Sequence, residues 1–239
     1  MSCKFNREKI HRKPMARFFC LFCALSGLSP KRSNEKRARN AQQFSTQETY
    51  LTYTVNYQGM ITVISGTNRK GSECLRFAQK YTELLQELSE EPVQLLALED
   101  IPHDWFFAEM YEKGKQAPSL AQLQDQYILG ADKFVYVISE YNGGFPGSLK
   151  VFLDACSVRE LKASFKGKKA ALVGIATGRA GNLRGMDHLT GVLHHLGTIV
   201  LPNKLPISRI YELMDKEGKI TDAGTIGVMR KQAEELLAF

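Results

Sequence analysis

Phe134-Val135-Tyr136-Val137-Ile138-Ser139-Glu140-Tyr141-Asn142-Gly143-Gly144-Phe145-Pro146-Gly147-Ser148-Leu149-Lys150 is the stretch that decides the fold. Its first five residues are branched or aromatic without polar alternation, the pattern of a strand buried on both faces in a parallel sheet. From Gly147 the chain reads as a helix start, with Pro146 fixing the backbone just ahead of N–H groups that lack partners. The turn between, counted through Gly147, holds an amide, two aromatics, a proline and three glycines. Glycine permits positive φ and close approach of a ligand to the backbone. Ligands of open α/β sheets sit outside the carboxyl ends of the strands, so this turn is a candidate seat for a flat polar ring. A plain hairpin or strand-to-helix connection is the competing reading, since Gly/Pro/Asn clusters mark turns of every kind.

Outward from this stretch, apolar runs and amphipathic segments alternate. Strands are predicted at 61–65, 93–98, 134–138, 170–176 and 198–201. Cys74, Ala78, Tyr81, Leu85 and Leu88 recur at helical spacing over 72–88. Further helices follow Pro118 to about residue 129, cover 147–156, carry Met186, Leu189, Leu193 and Leu196 on one face, and end the chain through Ile226, Met229, Ala233 and Leu236. A polar arm spans 206–218. This alternation predicts an α/β, three-layer doubly wound domain over residues 60–239, with a five-stranded parallel sheet in the order 2-1-3-4-5. Its switch point brings the loops after strands one and three together, with the loop after strand four beside them. The aromatic connection 103–111 (HDWFFAEMY) reads as core or interface packing, or as a wall of the substrate pocket.

Charge separates the first 59 residues from the rest. The net charge is +7, from 32 basic and 25 acidic residues. Residues 1–59 hold 11 of the basic and 3 of the acidic ones, which leaves the domain 21 and 22, a net of −1. The domain therefore lacks the clustered Lys/Arg that phosphate contacts of a nucleic acid require. Residues 1–59 show no sustained period and read as a disordered basic extension. The apolar run 18–28 is too short to span a membrane, and no membrane association is expected. The extension is open to three readings: a secretory signal, an organelle presequence, or a segment upstream of a natural start at Met60. The third is favoured because Met60 directly opens the first strand. Cys3, Cys20 and Cys23 fall in the extension, leaving only Cys74 and Cys156 in the domain. That usage fits a reducing compartment, and a cytoplasmic location is expected.

Three loops carry the chemistry. Ser65-Gly66-Thr67-Asn68-Arg69-Lys70-Gly71-Ser72 brings hydroxyls, an amide and two cations to a helix N-terminus, a setting that suits a phosphate. It matches neither GxxxxGK[ST] nor GxGxxG, and Ser72 as an ordinary N-cap is the bland alternative. Arg69 can bind two phosphate oxygens through its planar fork. The turn after strand three is the second loop, and 177–184 (TGRAGNLR) is the third. A phosphate loop and two glycine loops at one switch point fit a ligand with a phosphate and a flat polar ring, the shape of FMN.

Residues 66–72 (GTNRKGS) resemble the GSxRxxS phosphate loop of the NADPH-dependent FMN reductase family, flavodoxin-like proteins that include quinone and azo-dye reductases. Glu140-Tyr141-Asn142, Pro146-Gly147-Ser148-Leu149-Lys150 and Leu153-Asp154 resemble that family's PEYN…PGxLKNxLD signature. The resemblance implies that Thr67, Arg69 and Ser72 hold the FMN phosphate, with Asn68 and Glu73 close by. Glu140, Tyr141, Asn142, Gly143 and Gly144 would border the isoalloxazine ring, and Thr177, Gly178 and Gly181 its other edge. Thr67 replaces the family's usual Ser, Ser139 its frequent Pro, and Arg179-Ala180 interrupts its glycine-rich third loop.

The resemblance further implies an FMN-dependent oxidoreductase with NAD(P)H as co-substrate. Hydride passes to the flavin, and the electrons then go to a small acceptor, a quinone, azo compound or free flavin, in a ping-pong sequence. It also implies a homodimer or homotetramer. No catalytic side chain is expected, because the flavin carries the hard chemistry. No metal is expected either, since His188, His194 and His195 have no carboxylate or Cys at ligand spacing. Lys150 and Asp154, four apart, read as a structural ion pair. A flavodoxin-like electron carrier without a nicotinamide site is the alternative, against which the near-neutral domain argues. A flavin-free binding protein on the same fold is a third reading.

Overall fold

A computed structural model describes residues 59–239. The readings of the basic extension, with Cys3, Cys20 and Cys23, therefore fall outside the described residues. The elements are β1 (Ile61–Ser65), α1 (Glu73–Leu88), β2 (Val93–Ala97), α2 (Pro118–Leu123), β3 (Lys133–Ser139), α3 (Gly147–Val158), α4 (Leu161–Phe165), β4 (Lys169–Ile175), α5 (Leu183–Leu196), β5 (Ile199–Val200), β6 (Leu205–Ile207) and α6 (Ala223–Ala238).

All strand pairs are parallel and the order is β2-β1-β3-β4-β5, the doubly wound, flavodoxin-like arrangement expected. The strands are apolar on both sides because helices cover both faces. Alternate residues go to opposite cores. Val63, Val135, Val137 and Val173 face α1 and α6, whereas Ile64, Phe134, Tyr136, Ile138 and Leu172 face helices α3 and α5. The first layer is cross-braced by buried polar groups. Tyr81 Oη of α1 donates to Gln232 Oε1 of α6 at 3.1 Å, and Gln232 Nε2 donates to Leu172 O of β4 at 3.1 Å.

Three features depart from the expected alternation. The fifth strand is split: β5 pairs with Lys169 and Ala170, and β6 pairs with Val173 to Ile175 further along the same edge of β4. Pro202, which has no N–H to donate, lies in the excursion between them. The start of the arm read as polar is thus a strand. The helix from Pro118 passes at residue 124 into a wider π-type turn ending at Leu129. A short helix, α4, connects α3 to β4. No helix among the described residues is long and apolar enough to cross a membrane.

Candidate flavin site

The carboxyl ends of β1, β3 and β4 present their loops side by side. In the first loop, Gly66 N–H donates to Val137 O of β3 at 2.9 Å, which sets the loop against the neighbouring strand. Gly71 has φ +65, a left-handed conformation that glycine takes without a Cβ penalty. This kink delivers the chain to Ser72, the N-cap of α1, whose side chain makes no capping bond. Ser72 Oγ instead donates to Glu99 Oε2 at 3.4 Å, and Gly71 N–H donates to Glu99 Oε1 at 3.3 Å. The simple capping role for Ser72 is thereby corrected.

The loop after β3 contains a small hairpin. Tyr141 and Gly144 exchange both backbone bonds, at 3.0 and 2.9 Å, around Asn142 (φ +50) and Gly143 (φ +77). Positive φ at both central residues is the type I′ geometry that Asn-Gly favours. The turn is thus a hairpin, with positive φ at Asn142 and Gly143. Among the described residues, the N–H groups of Asn142 and Gly143 at the tip donate to nothing else, whereas that of Gly144 is consumed by Tyr141 O. Pro146 then leads into α3, where Lys150 Nζ meets both carboxylate oxygens of Asp154 at 2.7 Å, the expected structural pair.

The loop after β4 is held from behind by the segment after β6. Arg209 N–H donates to Gly178 O at 3.2 Å. A Cβ on Gly181 would lie 2.8 Å from the backbone of Pro206 and Ile207, so this glycine serves close packing. Asn182, buried and at φ +58, donates through Nδ2 to Ile138 O at 3.1 Å and ties the loop to β3.

These loops enclose a cavity of about 500 Å³, within the size range of small-molecule sites. Of the thirteen expected site residues, it brings together Arg69, Ser72, Glu73, Glu140, Tyr141, Asn142, Thr177 and Gly178. Gly143 and Gly144 form the hairpin behind Asn142, and Gly181 packs away from the cavity. Thr67 is fully buried, with its hydroxyl 2.9 Å from Tyr141 Oη, so it joins the first loop to the second. Asn68 faces a different cavity, of about 330 Å³, with Leu98, Ile101, His103, Trp105, Phe106, Ser148 and Val151. The aromatic connection thus divides. Trp105 and Met110 are core, Trp105 edge-on to Phe152 at 6.2 Å, while Phe106 is 68% exposed at the second cavity.

Sequence reasoning missed Gly71, Ser139, Ile175, Ala176, Ile210 and Tyr211, which also line the main cavity. Ile175 and Ala176 could have been found as the carboxyl end of β4. Nothing in the sequence marks Ile210 and Tyr211, which the return of the chain through β6 brings into place. Of the three histidines, His188 packs edge-on against Phe145 at 6.1 Å, beside the hairpin. Among the described residues no group of metal-ligating side chains is present. Cys74 and Cys156 are free and buried. Burial pushes both thiols up from their ordinary range, and Cys74 Sγ donates to Val137 O at 3.0 Å, so neither is poised as a nucleophile.

The model of the family described as NADPH-dependent FMN reductase matches residues 60–212. A 2-hydroxy-1,4-benzoquinone reductase from Burkholderia sp is 34% identical over 110 residues, 45% of this chain and 60% of that protein. An NAD(P)H-dependent FMN reductase of Pseudomonas aeruginosa is 30% identical over 120 residues, 50% of this chain and 64% of its own length. The matches thus span less than two thirds of either relative. Among solved structures, the flavoenzyme NAD(P)H:(acceptor) oxidoreductase FerB from Paracoccus denitrificans superimposes with a TM-score of 0.59 at 26% identity, covering 75% of this chain and 96% of that one.

Proposed function

The chain belongs to the NADPH-dependent FMN reductase family, and from that premise we propose that it is an FMN-dependent NAD(P)H oxidoreductase acting on small acceptors. One observation carries the reading: the loops after β1, β3 and β4 meet at a single cavity lined by Arg69, Gly71 and Ser72 from the first loop and by Asn142, whose N–H is unengaged, from the second. The residues present fit FMN. Arg69 and the first turn of α1 supply a fork, N–H groups and a hydroxyl for a phosphate. A Cβ added to Gly178 would meet nothing within 4 Å, so the wall beyond Thr177 leaves room for a flat ring.

When bound, FMN supplies the chemistry of accepting a hydride from a nicotinamide and passing electrons on. The chain's own work is to bind and orient. Arg69, Gly71 and Ser72 would hold the phosphate, and the Thr67–Tyr141 contact at 2.9 Å joins their loop to the hairpin that would border the ring. The unengaged N–H of Asn142, which lines the cavity, would favour negative charge on a bound ring without reorganising. No general acid or nucleophile among the side chains is required. Nicotinamide and acceptor would enter this one cavity in turn, which would make the kinetics ping-pong. Quinones and free flavin are the acceptors suggested by the names of the curated relatives, and azo compounds are added from the family resemblance of the sequence. The functional unit is residues 60–239, and a homodimer or homotetramer in the cytoplasm is the assembly and setting proposed.

Steady-state NADPH oxidation with a panel of quinones, azo dyes and free flavin, in the presence of FMN, tests this reading. Parallel double-reciprocal lines with at least one acceptor are expected. FMN-independent rates, or no oxidation with any acceptor, would refute it.

A further inference from the structure

Glu99 follows the end of β2 and is only 7% exposed. Among the described residues its carboxylate forms no ion pair, and the neighbouring cation of the phosphate loop, Lys70, is paired with Asp100 at 2.9 Å. A buried carboxylate without a cation is costly unless hydrogen bonds compensate it. Its two partners are Gly71 N–H at 3.3 Å and Ser72 Oγ at 3.4 Å, both longer than well-formed bonds of their type. Leu98 N–H, donating to Ser65 O at 3.1 Å, keeps the segment beside the loop. The two donors that Glu99 engages are ones the proposed phosphate site also uses. An N–H has one hydrogen to give, and a second anion beside a phosphate repels it.

We propose that Glu99 is the chain's own competitor for the phosphate loop: it holds Gly71 and Ser72 in place while its charge lowers the affinity for the phosphate of FMN, so that the cofactor is exchangeable. This rests on the reading of residues 66–72 as the FMN phosphate site. Glu99 acts through the loop and is a positioning residue.

The test compares FMN with riboflavin, which shares the ring and lacks the phosphate, by fluorescence titration of the full chain. Glu99→Gln keeps an acceptor for Gly71 N–H and removes the charge. It is expected to tighten FMN on the order of tenfold while leaving riboflavin affinity unchanged. Glu99→Asp, which draws the carboxylate back by one methylene, should shift FMN in the same direction by less, and it serves if the Gln variant does not fold. FMN affinity that is unchanged or weaker in the variants, or FMN and riboflavin moving together, would overturn the proposal. Wild-type protein that binds neither flavin would instead overturn the flavin reading on which it stands.

Discussion

Arg69 lines the cavity with no carboxylate partner among the described residues, so its planar fork is open to an anion such as the proposed phosphate. Arg69→Ala should weaken FMN binding by about 1.5 to 3 kcal/mol, the range for a hydrogen bond to a charged group. Equal FMN affinity in the variant would remove Arg69 from the phosphate site. The hairpin gives a second residue-scale test. Gly143 sits at φ +77, whereas a Cβ on Gly144 would meet only ordinary contacts at 3.7 Å and beyond. Gly143→Val should therefore cost about 1 to 2 kcal/mol of stability by urea unfolding, and Gly144→Ala much less. At this scale the sequence was readable where local chemistry dictates geometry: Asn-Gly at a turn tip, Ser72 before a helix. It left open which glycine in the run takes the positive φ, because that depends on the register of the Tyr141 and Gly144 bonds. It was silent on Glu99 and Tyr211, whose roles come from contacts between distant segments.

At the level of elements, helix ends and strand edges carry the expectations. Asp222 caps α6 by accepting from Thr225 N–H at 2.7 Å, and hydrogen bonding with the Thr225 side chain, then with its N–H, holds the carboxyl below the usual value. A depressed carboxyl stabilises the fold above its unfolded value and loses that contribution as the pH falls through the folded value. Asp222→Ala should lower Tm near neutrality, and the difference from wild type should vanish in acid. Lys168 works at the other extreme. Its Nζ donates to Ile128 O and Leu129 O at the close of the π turn, lies 5.5 Å from the centre of the Phe134 ring, and is pushed down by burial to about 8. The unfolded chain keeps this proton up to about 10.5, so the group adds stability as the pH rises from about 8 towards 10.5. Urea unfolding across that window should show the rise in wild type relative to Lys168→Met. Long, strongly patterned elements such as α1, β3 and α6 were legible in the sequence. The π turn, α4 and the split of β5 from β6 were not, since each answers to packing against a neighbour instead of a period of its own.

For the whole molecule, one topological rule did most of the work: a sheet in the order 2-1-3-4-5 brings the loops after β1, β3 and β4 to one place. Reading three unremarkable loops as one site depended on that rule, and the cavity contains residues from all three. The charge of the chain belongs to another part of it, because the domain carries nearly equal numbers of acidic and basic residues. Removal of residues 1–59 should accordingly leave FMN affinity and NADPH oxidation unchanged, and a loss of either would give the extension a part in the site. The most direct test of the central claim is anaerobic mixing of FMN-loaded protein with NADPH, followed by visible absorbance. Bleaching of the flavin at a rate that saturates with NADPH is the predicted result. Protein that holds FMN and stays oxidised would be an electron carrier without a nicotinamide site, and that outcome would contradict the reductase assignment.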